Sequence, residues 1–114
     1  MKRPAKATSL GEFEQVVILA IMRLKEEAYG VTIRSEIAAR TDRLPAAGAL
    51  YTTLDRLEGK GLVTSHFGDP TPRRGGRAKR YFSVTAAGVA AVKRAQRSYQ
   101  RLIEGLWLPE VVRA

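Results

Sequence analysis

Two short runs of β-branched and aromatic residues, 62–67 and 80–84, flank a loop rich in glycine, proline and arginine. Such runs are typical of strands, and turn-forming residues between them predict a β-hairpin. Three segments with helical spacing of apolar residues precede the hairpin, and a longer one follows it. Because 114 residues suffice for one core but not for two, we expect a single, mainly α fold with one small β-hairpin.

The first helical segment is apolar nearly all round. A capping-box pattern formed by Ser9 and Glu12 predicts where it begins. Residues 13–24 then place apolar side chains on almost every face, so we expect burial by the chain's own core on one side and by a partner on the other. A second short helix follows a break at residues 28–30 and ends near residue 41.

The third helical segment has one apolar face, because Leu50, Leu54 and Leu57 recur at helical spacing. Three short helices followed by a hairpin predict a winged helix-turn-helix, whose third helix usually enters the major groove of DNA. Alternatively, the threonines of this helix only face solvent and its tyrosine only packs. The candidate DNA contacts on this helix are Gly48, Ala49, Tyr51, Thr52, Thr53 and Arg56.

Net positive charge is confined to the N-terminal tail, the hairpin region and the last helical segment. The chain carries a net charge of +9, but residues 10–60 carry −1 and residues 61–80 carry +4. Localised positive charge beside a nearly neutral body favours double-stranded DNA as the partner, through phosphates or a narrow minor groove. A winged helix used only for protein contacts is the alternative, although protein interfaces tend to exclude charge from their centres. The candidate contacts in the wing are Arg73, Arg74, Arg77, Lys79 and Arg80.

The last helical segment predicts a homodimer. Thr85 can cap it, and its apolar positions alternate steps of three and four as in a coiled-coil seam. We therefore divide the chain into a basic flexible tail (1–9), a winged helix-turn-helix DNA-binding domain (10–84) and a C-terminal dimerisation helix (85–114). The predicted dimer interface comprises Phe13, Val17, Val89, Val92, Gln96, Tyr99, Ile103 and Leu106.

Enzymatic chemistry has little support in the sequence. The chain has no cysteine, and His66, its single histidine, falls in a predicted strand and is expected to be structural. Neither a metal-ligand cluster nor a phosphate-binding loop is recognisable, so we expect no enzyme, no metal and no cofactor. We also expect no signal peptide and no membrane span, and a cytoplasmic location.

Several blocks of the chain together resemble the PadR-type transcriptional regulators, of the compact kind with a single C-terminal dimerisation helix. The resemblance implies a repressor that binds a pseudo-palindromic operator, with two third helices in successive major grooves and the last helix exchanged between subunits against the first. It also places Tyr51 and residues 76–80 on positions that the family uses for DNA. The matching blocks are residues 10–14, 28–31, 48–58, 60–63, 75–81 and 85–88.

Two further expectations follow from this resemblance. Residues 45–47 are less polar than in many relatives, so specificity should depend more on DNA shape. Some relatives respond to phenolic acids or flat aromatic drugs at the dimer interface, and Tyr99 with Trp107 would stack such an effector. The favoured alternative is that Trp107 is an anchor in the interface core.

Overall fold

The computed structural model describes residues 9–68 and 78–106, and its elements follow the predicted order. The mainly helical winged-helix fold with one antiparallel hairpin is confirmed. Among the described residues, no helix is both long enough and apolar enough to cross a membrane. The elements are α1 (Glu12–Leu24), a short 3₁₀ helix (Lys25–Glu27), α2 (Gly30–Arg40), α3 (Ala47–Gly59), β1 (Val63–Phe67), β2 (Arg80–Val84) and α4 (Ala86–Ile103).

Helix α1 begins later than the sequence pattern predicts. Its N-cap is Gly11, and the Gly11 backbone N–H donates to the Glu14 carboxylate at 2.8 Å. The predicted capping box of Ser9 and Glu12 is therefore wrong. Glu14 is also bound by Lys60 from the end of α3, and this long-range contact favours the later start over the local pattern.

Helices α1, α2 and α3 pack around one apolar core with the hairpin and the start of α4. Leu50, Leu54 and Leu57 face this core, as their spacing predicts. After α3, Gly61 adopts a φ of 76°, a conformation that glycine tolerates best, and the chain turns into β1. The core comprises Val17, Ile18, Ala20, Ile21, Ala28, Ile33, Ile37, Leu50, Leu54, Leu57, Leu62, Val63, Phe82, Ala91 and Val92.

Strands β1 and β2 form an antiparallel pair in which Val63 lies opposite Val84 and Phe67 opposite Arg80. The chain before α2 adds to the edge of this pair, since the Phe82 N–H donates to the Ala28 carbonyl at 2.8 Å. The wing is thereby fixed to the helical part of the domain at its base.

Helix α4 is attached to the domain at its first turn. The Gly88 N–H donates to the Thr85 hydroxyl oxygen at 3.0 Å, which confirms the predicted cap. The Thr85 hydroxyl in turn donates to the Gly61 carbonyl at 2.8 Å. Gly88 lies so close to the Leu62 carbonyl that a β-carbon would overlap it, so any other residue would push α4 away from the hairpin.

Candidate nucleic-acid interface

The outward face of α3 carries most of the predicted helix contacts. Its three leucines hold the opposite face in the core, which leaves Gly48, Ala49 and Thr52 exposed to solvent. A β-carbon placed on Gly48 would have no atom within 4 Å, so the first turn of α3 has open space around it. A helix presented in this way has the shape that a major groove admits.

Tyr51 lies at the side of this face and is 40 % exposed. Its hydroxyl rests against Gly30 at the start of α2, where a β-carbon would overlap the phenol ring. The ring therefore packs while part of the side chain stays accessible to solvent. Both interpretations of Tyr51, as a packing residue and as a surface contact, fit this position.

Thr53 does not lie on the outward face. It is only 5 % exposed, so its predicted role as a DNA contact needs correction. The reason is helical geometry: Thr53 is three residues after Leu50 and four before Leu57, which places it on the core face with them. Its polar character, rather than its spacing, led to the prediction.

Arg56 lies one turn beyond Thr52 and is half exposed. Its guanidinium is 3.9 Å from the carboxylate of Glu14, whose side chain is 7 % exposed. The Lys60 ammonium donates to both carboxylate oxygens of Glu14, at 2.9 and 3.1 Å. Arg56 thus lies close to a carboxylate on α1 that Lys60 also binds. Its guanidinium is partly directed toward Glu14 and only partly available to a ligand.

Glu14 stays ionised in this environment. Burial raises its pKa, but the backbone N–H of Gly11, the ammonium of Lys60 and the nearby Arg56 outweigh that effect. The pKa of Glu14 therefore lies below its ordinary value of 4.5. A charged group in this place joins the start of α1 to the end of α3.

Arg80 links the wing to α3. Its guanidinium donates to Glu58 at 2.6 Å and to the Ser65 hydroxyl at 3.2 Å, and it lies 3.5 Å from Asp55. Ser65 also donates to the Glu58 carboxylate. Most of the hydrogen-bonding capacity of Arg80 is used inside the domain, so we treat it as a residue that positions the wing.

The remaining wing cations have different surroundings. The Lys79 ammonium lies 4.4 Å from the centre of the Tyr29 ring and 3.4 Å from its hydroxyl, and stays exposed. Arg73, Arg74 and Arg77 lie outside the described residues. His66 stacks on Tyr81 at 5.7 Å, which agrees with a structural role.

Glu14, Glu58 and Ser65 were missed by the sequence analysis, although they hold the second half of α3 between α1 and the wing. Glu58 and Arg80 are 22 residues apart, and Glu14 and Lys60 are 46 apart. Residues so far apart in sequence form ion pairs only because α1 and β2 pack against α3, and the sequence alone does not show this packing. Within the described residues, no group of acidic or histidine side chains could hold a metal ion.

A model of the "Transcriptional regulator PadR-like family" matches residues 18–94, about two thirds of the chain. The chain belongs to the PadR-like family of transcriptional regulators. The match covers the second half of α1, the remainder of the winged helix and the first half of α4. None of the curated proteins matches the chain.

Solved structures of PadR-like regulators share this fold. One from Bacillus cereus has a TM-score of 0.68 at 15 % identity, over 90 % of this chain and 92 % of that one. One from Eggerthella lenta has a TM-score of 0.66 at 23 % identity, over 89 % and 86 %. One from Clostridium difficile has a TM-score of 0.65 at 21 % identity, over 87 % and 98 %.

Two residues of the predicted dimer interface of this PadR-like chain are buried within the subunit. Val17 is 0 % and Val92 4 % exposed, because α1 and the start of α4 pack on the chain's own core. They need correction, since neither offers surface to a second subunit. Phe13, Val89 and Ile103 are partly buried, whereas Gln96, Tyr99 and Leu106 are exposed.

Exposed apolar side chains that the seam pattern missed lie on both α1 and α4. Leu19 and Met22 border an open groove of about 570 Å³ between α1 and α2, whose lining includes Ile37. On α4, Leu102 is among the most exposed large apolar residues of the described chain. Tyr99, a predicted ligand contact, is half exposed, and its predicted companion Trp107 lies outside the described residues.

Proposed function

We propose that this PadR-like regulator binds double-stranded DNA sequence-specifically, with the outward face of α3 in the major groove and the wing on the backbone or in the minor groove. The observation that carries the proposal is the exposed, uncharged outward face in the first half of α3. The sequence adds a basic segment between β1 and β2. Arg73, Arg74 and Arg77 supply the wing charge together with Lys79. Arg80 and Glu58 hold the wing against α3.

We propose further that the regulator acts as a homodimer, with residues 1–9 as a tail, 10–84 as the DNA-binding domain and 85–114 as the dimerisation helix. Tyr99 and Leu102 are exposed on α4, Leu106 is exposed just beyond its end, and Leu19 and Met22 are exposed on α1. Apolar patches of this kind favour association. Packing α4 of one subunit against α1 of its partner covers both sets.

Two-fold symmetry in the protein requires a pseudo-palindromic operator. Its half-sites should lie about 34 Å apart, one helical turn of DNA. We propose that binding there represses transcription in the cytoplasm.

We also propose that a flat aromatic effector relieves repression by binding near Tyr99 and Trp107. If such a compound saturates the protein without changing its affinity for DNA, the effector proposal is wrong and Trp107 is an interface anchor.

The test of DNA binding is a fluorescence-anisotropy titration with a duplex selected from a random pool and with a scrambled duplex, across a salt series. We expect a clear preference for the selected duplex. Affinity should fall steeply with salt, with a log–log slope near −5 if about six phosphates are neutralised. Equal weak binding to both duplexes would contradict the proposal, and partner binding that ignores salt would favour a protein-interaction module.

Three variants distinguish the reading helix from the wing. Arg77→Ala should weaken binding to both duplexes alike, because phosphate contacts carry no sequence information. Thr52→Ala should change which sequences are preferred. Arg101→Ala removes the same charge from an exposed position of α4, away from the proposed interface, and should leave both affinities unchanged. If Thr52→Ala acted uniformly and Arg77→Ala selectively, the roles of helix and wing would be reversed.

A further inference from the structure

The exposed side chains in the first half of α3 are small and end in methyl groups. Ala47, Ala49 and Thr52 are all exposed, and Gly48 between them has no side chain. Residues 47–54 contain no arginine, lysine, asparagine, glutamine or histidine. This surface therefore lacks the long donors and the amides that form bidentate hydrogen bonds with guanine or adenine.

The charged residues of α3 lie further along the helix and are engaged elsewhere. Asp55 faces Arg80 of the wing, and Arg56 faces the carboxylate of Glu14. The part of a reading helix that meets base edges is its N-terminal part. The first half of α3 then offers methyl groups, the Thr52 hydroxyl and the exposed part of Tyr51.

The surroundings of Ala49 extend this apolar character. Ala49 borders a shallow depression that is also lined by Phe13, Arg43, Leu44 and Pro45. Leu44 is 66 % exposed, although it lies just before the reading helix. Gly48 lets the backbone approach a base edge closely, because nothing occupies the space beside it. A methyl group on the DNA would meet a mostly apolar surface here, with Arg43 at its border.

We infer that this regulator reads the 5-methyl groups of thymines in the major groove, with Ala47, Ala49 and Thr52 as specificity-determining residues. The inference rests on the proposed binding of α3 to DNA. Of the four bases, only thymine presents a methyl group in the major groove, and alanine and threonine methyls are among its usual partners. Each half-site should therefore contain thymines at the positions that the first half of α3 covers.

Replacing thymine by uracil tests the inference, because it removes one methyl group and leaves base pairing intact. A duplex is first selected from a random pool, and each thymine of its half-sites is then replaced in turn. Loss of one buried methyl should weaken binding about 4-fold. Symmetric replacement in both half-sites should weaken it about 16-fold, by the same estimate applied twice. Replacement of thymines outside the half-sites should have no effect.

Two protein variants assign the effect to α3. Ala49→Gly should lower the ratio of thymine to uracil affinity at one position toward 1, because the contacting methyl is gone. Ala39→Gly makes the same substitution at an exposed position of α2 and should leave the ratio of thymine to uracil affinity unchanged. Circular dichroism of both variants confirms that the helices are retained.

The failure of this inference is distinguishable from the failure of the proposed function. Equal affinity for thymine and uracil at every half-site position, with preference over the scrambled duplex retained, would overturn the methyl reading and leave specific DNA binding in place. The inference would also be overturned if the ratio of thymine to uracil affinity fell to 1 in Ala39→Gly as well as in Ala49→Gly. If no duplex is preferred in the selection, both proposals are wrong.

Discussion

The two halves of the outward face of α3 differ in what surrounds them. In the first half, Gly48 and Thr52 are uncharged and face open solvent. In the second half, Arg56 faces Glu14 of α1, and Glu58 binds Arg80 of β2. The difference indicates that the two halves have separate roles. The first half is accessible to a ligand, whereas the second half fixes the helix between α1 and the wing.

The largest effect that this division predicts concerns two neighbouring threonines. Thr53→Asp should cost about 3–5 kcal/mol of unfolding free energy, because it places an uncompensated charge in the core. Thr52→Asp should change stability by no more than about 0.5 kcal/mol. It should nevertheless abolish specific DNA binding by repelling phosphates. Thermal denaturation and anisotropy measure the two properties, and equal loss of stability in both variants would contradict the assigned faces.

The next effect concerns the tie between α1 and α3. Glu14→Gln should lower the unfolding free energy at pH 7 by about 2 kcal/mol, because Lys60 loses its ionic partner and Gly11 a charged acceptor. The control is Glu12→Gln, since the Glu12 side chain is largely exposed. A loss no larger than the control's in urea denaturation would show that this tie is dispensable.

The contribution of Glu14 should also depend on pH. Its pKa is lower in the folded than in the unfolded chain, so its stabilisation is complete above the unfolded value near 4.5. It should be lost as pH falls through the lower folded pKa. The difference in unfolding free energy between wild type and Glu14→Gln should therefore shrink below pH 4.5. A difference that stays constant from pH 7 to pH 3 would exclude this carboxylate as the cause.

A smaller effect is expected where the wing meets α3. A double-mutant cycle of Glu58→Gln and Arg80→Met should give a coupling energy of about 1 kcal/mol, since the pair is partly buried and hydrogen-bonded. Each single variant should weaken binding to all duplexes alike, because the wing loses its fixed position. A cycle of Glu12→Gln and Arg43→Met serves as the exposed control. Coupling no stronger than in this control would remove the positioning role of Arg80.

The smallest effect should come from Asp55, which is largely exposed and 3.5 Å from Arg80. Asp55→Asn should change the unfolding free energy by less than about 0.5 kcal/mol. It should raise affinity for every duplex slightly, because one negative charge leaves the DNA-facing side. A large loss of stability would mean that the second half of the helix depends on Asp55 more than on Glu58.

Much of the fold could be predicted from local patterns. The spacing of Leu50, Leu54 and Leu57 assigned the core face of α3, and Thr85 marked the start of α4. The same spacing argument, applied to Thr53, would have placed it in the core despite its polarity. Position on a helix was here a better guide to burial than residue type.

Contacts between distant parts of the chain could not be predicted in this way. The α4 seam pattern identified apolar positions, but spacing alone does not say which surface covers them. Val92 turned out to be covered by the chain's own core, whereas Tyr99 is not. The partners of Glu14 and Arg80 likewise depend on how α1 and the hairpin pack against α3. The exposure of Gly48, Ala49 and Thr52 was predicted correctly, because it follows from their positions on the helix.

The central claim is that the first half of α3 enters the major groove. The chain contains no cysteine, so single cysteines can be introduced cleanly and labelled with iron–EDTA. With Asp55→Cys, one turn after Thr52 on the exposed side of α3, we expect cleavage of the selected duplex at two sites about 34 Å apart and little cleavage from Ala39→Cys on α2. Uniform cleavage from Asp55→Cys, or equally strong cleavage from Ala39→Cys, would contradict the account.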